Sequence, residues 1–319
     1  MTMPNFLIVG AAKAGTTSLV HYLQQHPQIY FSPRKEPRFF AFEEGERLSF
    51  AGPNDYRSDR NARGNNPGIN NTSVTTLDKY QSLFDGVTQE TAIGEASTLY
   101  LYSPEAPSRI KQYVPDMKII IMLRNPVERA YSSYLHLVRD GYETLSFEES
   151  LQAEESRIED NWSHLWHYKS SGFYHGQVER YYQNFNSSHI KIYLDEELRQ
   201  APQDVLADIY DFIGVKDTVS PDFGRKLNQS GVPKNKLLHR FLTTDNLVKR
   251  SARRLVPHYL RQQAYQSIRK KNLAKKPDLD SDTRLSLRNT FEEDIVRLQR
   301  LIDKDLSSWL ADEKPVHSS

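Results

Sequence analysis

An apolar run, Phe6-Leu7-Ile8-Val9, ends at Gly10, and six residues later the pattern switches to that of a helix. Leu19, Val20 and Leu23 recur at helical spacing behind Thr16, so Phe6 to Leu23 reads as strand, tight loop and helix. Small residues around one lysine, Ala11-Ala12-Lys13-Ala14-Gly15, make up the loop. A loop of this kind aims backbone N–H groups at whatever lies over the helix N-terminus, where the dipole favours an anion. Lys13 adds a positive charge, and Thr16, Thr17 and Ser18 add hydroxyl donors. The expectation is a phosphate cradle.

The remaining composition narrows what such a cradle serves. Net charge is +1 over 319 residues and aromatic residues make up 11%. That balance suits a packed α/β protein and excludes a polybasic nucleic-acid binder or a disordered acidic chain. No apolar run approaches the roughly 18 residues needed to span a bilayer. Phe6 to Val9 is too short, and lacks the basic flank, for a signal peptide, so the expected location is cytoplasmic. With no cysteine, disulfides, thiolate metal sites and cysteine nucleophiles are excluded.

Strand and helix patterns alternate along the chain. Gln28 to Phe31 is a short strand leading into Ser32-Pro33-Arg34-Lys35-Glu36-Pro37, whose prolines fix an ordered loop. In a parallel sheet that loop emerges at the edge of the cradle, which places Glu36 nearby. Residues 43–76 form a Gly-, Asn- and Asp-rich excursion of the kind used for binding loops. Thr91 to Ser97 is a further strand with its edge loop, and Met117 to Leu123 is nearly all apolar, as in a strand buried on both faces. The helices expected are Leu77–Phe84, Ser103–Tyr113, one opened by Asn125 and Pro126, Gly172–Tyr182 and Val205–Ile213. Acidic residues 140–160 read as a solvated helix face, Ile190 to Leu194 as a strand, and 281–311 as C-terminal helices. Segment 236–276 carries twelve Lys and Arg against one acidic residue. No repeat or clean break appears, so the fold expected is one α/β domain over 1–319: a P-loop-like parallel sheet flanked by helices.

Two details separate this cradle from that of an ATPase. The nucleotide P-loop has lysine directly after its second glycine, followed by the Ser/Thr that holds magnesium. Here Lys13 precedes Gly15 by two residues, and the Met117–Leu123 strand ends in Arg124, where an ATPase commonly has an aspartate near its metal. An arginine at a strand tip suits an additional phosphate, held through a bidentate fork. The pattern predicts metal-independent binding of a nucleotide with two phosphate groups. A kinase-like phosphotransferase and a non-catalytic nucleotide-binding protein are the alternatives.

Lys13-Ala14-Gly15-Thr16-Thr17-Ser18 resembles the 5′-phosphosulfate loop of sulfotransferases that use 3′-phosphoadenosine 5′-phosphosulfate (PAPS). Arg124-Asn125-Pro126 through Ser132 resembles their 3′-phosphate motif. Within that family the chain is most similar to the heparan sulfate N- and 3-O-sulfotransferase branch and its bacterial single-domain relatives. The likeness extends to Lys35-Glu36-Pro37-Arg38-Phe39-Phe40, to Gly94-Glu95 through Tyr100, and to Asp305 through Leu310. The chain departs from that branch at Ala96, where the branch has lysine, and in lacking its C-terminal cysteine pair.

The resemblance implies a role for each matching residue. Lys13, Ala14, Gly15, Thr16, Thr17 and Ser18 would hold the 5′-phosphosulfate, with Lys13 also neutralising charge on the breaking bond. Arg124 and Ser132 would bind the 3′-phosphate, and Glu36 would be the general base. His136 matches a histidine of the N-sulfotransferase pattern and is either a second proton-transfer group or a packing residue. Gly231 and Lys234 fall where the family places a loop over the nucleotide. PAPS would be the donor and 3′-phosphoadenosine 5′-phosphate (PAP) the product, with no metal. The acceptor implied is a carbohydrate or small molecule, and the basic 236–276 segment suggests an anionic one. Tyr168 and Tyr174 are further candidates for the acceptor side.

Overall fold

Five parallel strands in the order β2-β3-β1-β4-β5 form the sheet of the computed structural model, which describes residues 2–46, 48–53, 73–216, 219, 221–224 and 276–311. The central strand β1 (Phe6–Gly10) runs into the small-residue loop and helix α1 (Thr16–Leu23). Strand β2 (Ile29–Phe31) lies at one edge and is followed by a 3-10 turn at Phe39–Ala41. Helix α2 (Leu77–Gln81) precedes β3 (Ala92–Ala96), which inserts between β1 and β2. Helix α4 (Ala106–Tyr113) is the one expected over Ser103–Tyr113, and a short additional helix, α3 (Leu99–Tyr102), precedes it.

Strand β4 (Lys118–Leu123) pairs with β1 on one side, and Ile119 through Leu123 are all 0% exposed. Burial on both faces removes the need for alternation, which is why this strand is a continuous apolar run. Helix α5 (Pro126–Asp140) opens where the sequence places it, with the Asn125 side chain accepting from the N–H groups of Val127 and Glu128.

The acidic stretch folds as α6 (Phe147–Gln152) and α7 (Glu154–Glu159), the first with a Ser146/Glu149 capping box. It is not simply a solvated face. Glu143 is 6% exposed and receives both Arg157 guanidinium nitrogens, at 2.7 and 3.1 Å, and the Tyr168 hydroxyl at 2.8 Å. Burial pushes the Glu143 carboxyl upward, but Arg157 and Tyr168 together outweigh it and hold the group below its usual range. Glu154, 1% exposed, accepts from the N–H groups of Lys169 and Ser170. Charge was legible in these residues; the partners that allow burial lie elsewhere in the chain.

Helix α8 (Tyr174–Asn184) leads through a 3-10 turn to the edge strand β5 (Ile190–Leu194), then to α9 (Asp195–Gln200) and α10 (Pro202–Ile213). The C-terminal part is one long helix, α11 (Ser281–Ile302), and a short α12 (Ser307–Leu310). Trp309 is 4% exposed and its indole N–H donates to Glu196 at 2.7 Å, tying this end beside β5. No helix among the described residues is long and apolar enough to cross a membrane.

Candidate active site

The parallel topology delivers the loops after β1, β2, β3, β4 and β5 to one edge of the sheet. Gly15, at the N-cap of α1, has φ +82, a left-handed conformation that glycine adopts without a Cβ penalty. A Cβ at that position would also lie 2.7 Å from the Asp195 Oδ1. No side chain caps the α1 N-terminus. Ala14 is fully buried, so its contribution to the cradle is limited to its backbone. Thr16 is buried as well, whereas Thr17 and Ser18 are half-buried at the first turn.

Lys13, Arg124, Ser132 and His136 meet in one open pocket, together with Leu135, Arg139 and Lys276. Ser132, His136 and Arg139 lie on one face of α5, as spacings of four and three residues require. Burial lowers the Lys13 ammonium to about 8, with Arg139 adding to the effect and Asp140 opposing it. Arg139 donates to His136 Nδ1 and to both Asp140 carboxylate oxygens, at 3.0 and 3.3 Å.

Arg124 is held from several sides. Its Nη1 donates to the Lys13 carbonyl at 3.1 Å, which couples the tip of β4 to the cradle. Its guanidinium also lies 3.5 Å from Asp195 and 3.6 Å from Glu128. Glu128 in turn pairs with Lys276 at 2.8 Å and Arg284 at 2.9 Å. Burial raises the Glu128 carboxyl, but Lys276 and Arg284 outweigh it and keep the group below its ordinary range.

Glu36 sits on the loop after β2 and is seated against the loop after β3. Its carboxylate accepts from the Thr98 N–H at 2.9 Å and the Thr98 hydroxyl at 3.0 Å, and Arg38 Nε lies 3.5 Å away. Glu36 is not among the residues lining the pocket around Lys13. The connection runs through its neighbour: Lys35 Nζ donates to the Thr17 hydroxyl of the cradle at 2.6 Å.

Several sequence expectations change here. Tyr168 and Tyr174 are 0% exposed; the first donates to Glu143 and the second to the Arg124 carbonyl at 3.0 Å, so both belong to the core. Gly231 and Lys234, nearly all of the 236–276 basic segment and most of the 43–76 excursion lie outside the described residues. Sequence reasoning gave no site role to Lys35, Thr98, Glu128, Arg139 or Asp195, and read Lys276 only within the basic segment suggested for an anionic acceptor. Arg139 had a signal, its helical spacing from Ser132 and His136, and Asp195 had another, its place immediately after a parallel strand. Lys276 stood out only as part of the basic segment, and its partner Glu128, like the Thr98 partner Glu36, is distant in sequence.

A parallel five-stranded sheet with a small-residue loop after its first-numbered strand and a cationic pocket at the same edge defines an α/β class of protein. The chain belongs to the sulfotransferase family, whose profile matches residues 4–219. It is 38% identical to a crystallised sulfotransferase from Alicyclobacillus acidocaldarius, with a TM-score of 0.74, covering 98% of this chain and 100% of that one. It is 27% identical to human bifunctional heparan sulfate N-deacetylase/N-sulfotransferase 3 over 98% of this chain and 31% of that protein. Human heparan sulfate glucosamine 3-O-sulfotransferase 6 is 26% identical over 68% of this chain and 54% of that protein. The chain thus spans between about a third and a half of the length of these two relatives.

Proposed function

We propose that the chain, read as one sulfotransferase domain, moves the sulfuryl group of PAPS to a hydroxyl or amine of a carbohydrate or small-molecule acceptor. One observation carries the reading: Lys13, Arg124, Ser132 and His136, from three separate segments, line a single pocket beside an uncapped helix N-terminus. The residues present fit a donor charged at both ends. Gly15, Thr16, Thr17 and Ser18 offer backbone and hydroxyl donors to the 5′ end, while Arg124, Ser132 and Lys276 serve the 3′-phosphate. Gly231 and Lys234 are proposed to cover the nucleotide.

When bound, PAPS supplies a sulfuryl group whose S–O bond to the 5′-phosphate breaks as the acceptor bonds to sulfur. Lys13 faces the charge that grows on the leaving oxygen. Such preorganised charge is often the largest catalytic effect, and loss of one donor commonly costs about a hundredfold in rate. Glu36 takes the proton that the attacking hydroxyl or amine releases, and Thr98 fixes the direction in which its carboxylate points. His136 Nδ1 lies against the Arg139 guanidinium and 3.4 Å from the Asp140 carboxylate, and His136 is proposed as a second proton-transfer group at the pocket. The heparan sulfate relatives support a carbohydrate acceptor.

The test is a screen of sugar, amine and phenol acceptors with sulfur-labelled PAPS in the presence of EDTA. Label transfer that survives the chelator is expected. Transfer of the γ-phosphate from Mg-ATP, with no transfer from PAPS, would overturn the reading.

A further inference from the structure

Glu95 is the fourth residue of β3 and is 0% exposed. Its Oε1 accepts from the Tyr100 hydroxyl at 2.5 Å and from the Tyr80 hydroxyl at 3.2 Å. Its Oε2 is buried without a well-formed hydrogen bond, although the Ser97 hydroxyl acts on the same carboxyl. The titratable and charged groups that face it are Tyr80 on α2, Tyr100 on α3, Tyr181 on α8 and Glu36 on the loop after β2. None of these is a cation. A buried carboxylate with no ion pair is costly, and protonation removes its charge.

The same groups seat the Glu36 loop. Tyr100, which donates to Glu95, accepts the Phe40 N–H at 3.4 Å. Ser97, which also acts on Glu95, accepts the Arg38 N–H at 2.9 Å. The Glu36 N–H donates to the Ala96 carbonyl at 3.3 Å, and Thr98 holds the Glu36 carboxylate. Residues 36–40 are thus docked on residues 96–100, with Glu95 at the root of the docking segment. Glu36 and Arg38 each have φ +56, a conformation uncommon for such residues that needs surrounding bonds to persist.

We propose that Glu95 is an uncharged carboxylic acid that serves as a positioning residue, holding the strand tip and Tyr100 on which the Glu36 loop is seated. This rests on the reading of Glu36 as the general base. It gives two neighbouring carboxyl groups different settings: Glu36 is bonded by Thr98 and lies beside Arg38, whereas Glu95 beneath it is buried among tyrosine hydroxyls. Burial pushes the Glu95 carboxyl up to about 7; the Tyr100 and Ser97 hydrogen bonds oppose this, and the Glu36 charge reinforces it. Above that pH an ionised Glu95 would repel Glu36 and loosen the seat.

The experiment measures hydrogen–deuterium exchange of peptides covering 34–42 at pH 6 and pH 8.5, corrected for intrinsic rates, in the wild type, Glu95→Gln and Glu95→Ala. Glutamine copies the neutral acid and cannot ionise. The expected result is equal protection of wild type and Glu95→Gln at pH 6, and exchange at least threefold faster in the wild type alone at pH 8.5. Glu95→Ala should lower kcat at least tenfold with PAP affinity unchanged; should it fail to fold, the other two proteins decide. Exposure of the loop in Glu95→Gln at pH 6, or identical pH responses of wild type and Glu95→Gln, would overturn the proposal. Exchange needs no acceptor and no turnover, so its outcome is separable from that of the sulfotransfer reading.

Discussion

Lys13 must keep its charge in a partly buried position beside Arg139, Lys35 and Arg124. Burial and these cations bring its ammonium down to about 8, so below that pH it is charged and above it increasingly neutral. An anion in the pocket favours the charged form, so binding of PAP should weaken as pH rises through about 8. Calorimetry with PAP between pH 7 and 9.5 checks this. Lys13→Met should bind more weakly at pH 7 and show a flatter profile, and an unchanged profile in the variant would remove Lys13 from the site. Turnover of Lys13→Met should fall about a hundredfold or more.

Two glycines separate site from scaffold at the scale of elements. In Gly15→Ala the new methyl group would have to displace the Asp195 carboxylate, which lies 3.5 Å from Arg124, and the residue would stay at φ +82. PAP affinity should drop at least tenfold while the far-ultraviolet circular dichroism stays that of the wild type. Retained affinity would mean that Asp195 and Arg124 do not depend on this close approach. Gly176, within α8, meets nothing within 4 Å of an added Cβ. Gly176→Ala should therefore stabilise the protein by about 0.5–1 kcal/mol through helix propensity, read in urea unfolding.

For the molecule as a whole, the Glu143–Arg157 pair ties the segment after α5 to α7 in a buried setting. Glu143→Ala leaves the Arg157 charge without its partner and should cost about 3–5 kcal/mol of stability, because an uncompensated buried charge remains. A loss below about 1 kcal/mol, as exposed pairs give, would show that Arg157 finds water instead. This pair also marks where sequence reading stops. Strands β1 and β4 were legible because strands buried on both faces are nearly continuous apolar runs, and Arg124 at a strand tip and Gly15 at the helix that follows another strand were legible because parallel topology sends every strand end to one edge. The insertion of β3 between β1 and β2 was not, since strand order depends on pairing between distant segments. The same applies to Glu143 and Glu154, whose charges read as part of a solvated helix face until their partners are seen. His136 was only half legible: its position was visible, but its contacts with Arg139 and Asp140 were not.

The account turns on Glu36 as the group that takes the acceptor proton without holding the donor. The direct measurement compares the wild type with Glu36→Gln for PAP affinity by calorimetry and for sulfuryl transfer from labelled PAPS to the best acceptor found. Glutamine preserves the shape beside Thr98 and removes the base. The account predicts PAP affinity within about twofold of the wild type and turnover lower by at least about a hundredfold, the range typical of a lost general base. Near-normal turnover in Glu36→Gln, with PAP bound as tightly as before, would contradict it.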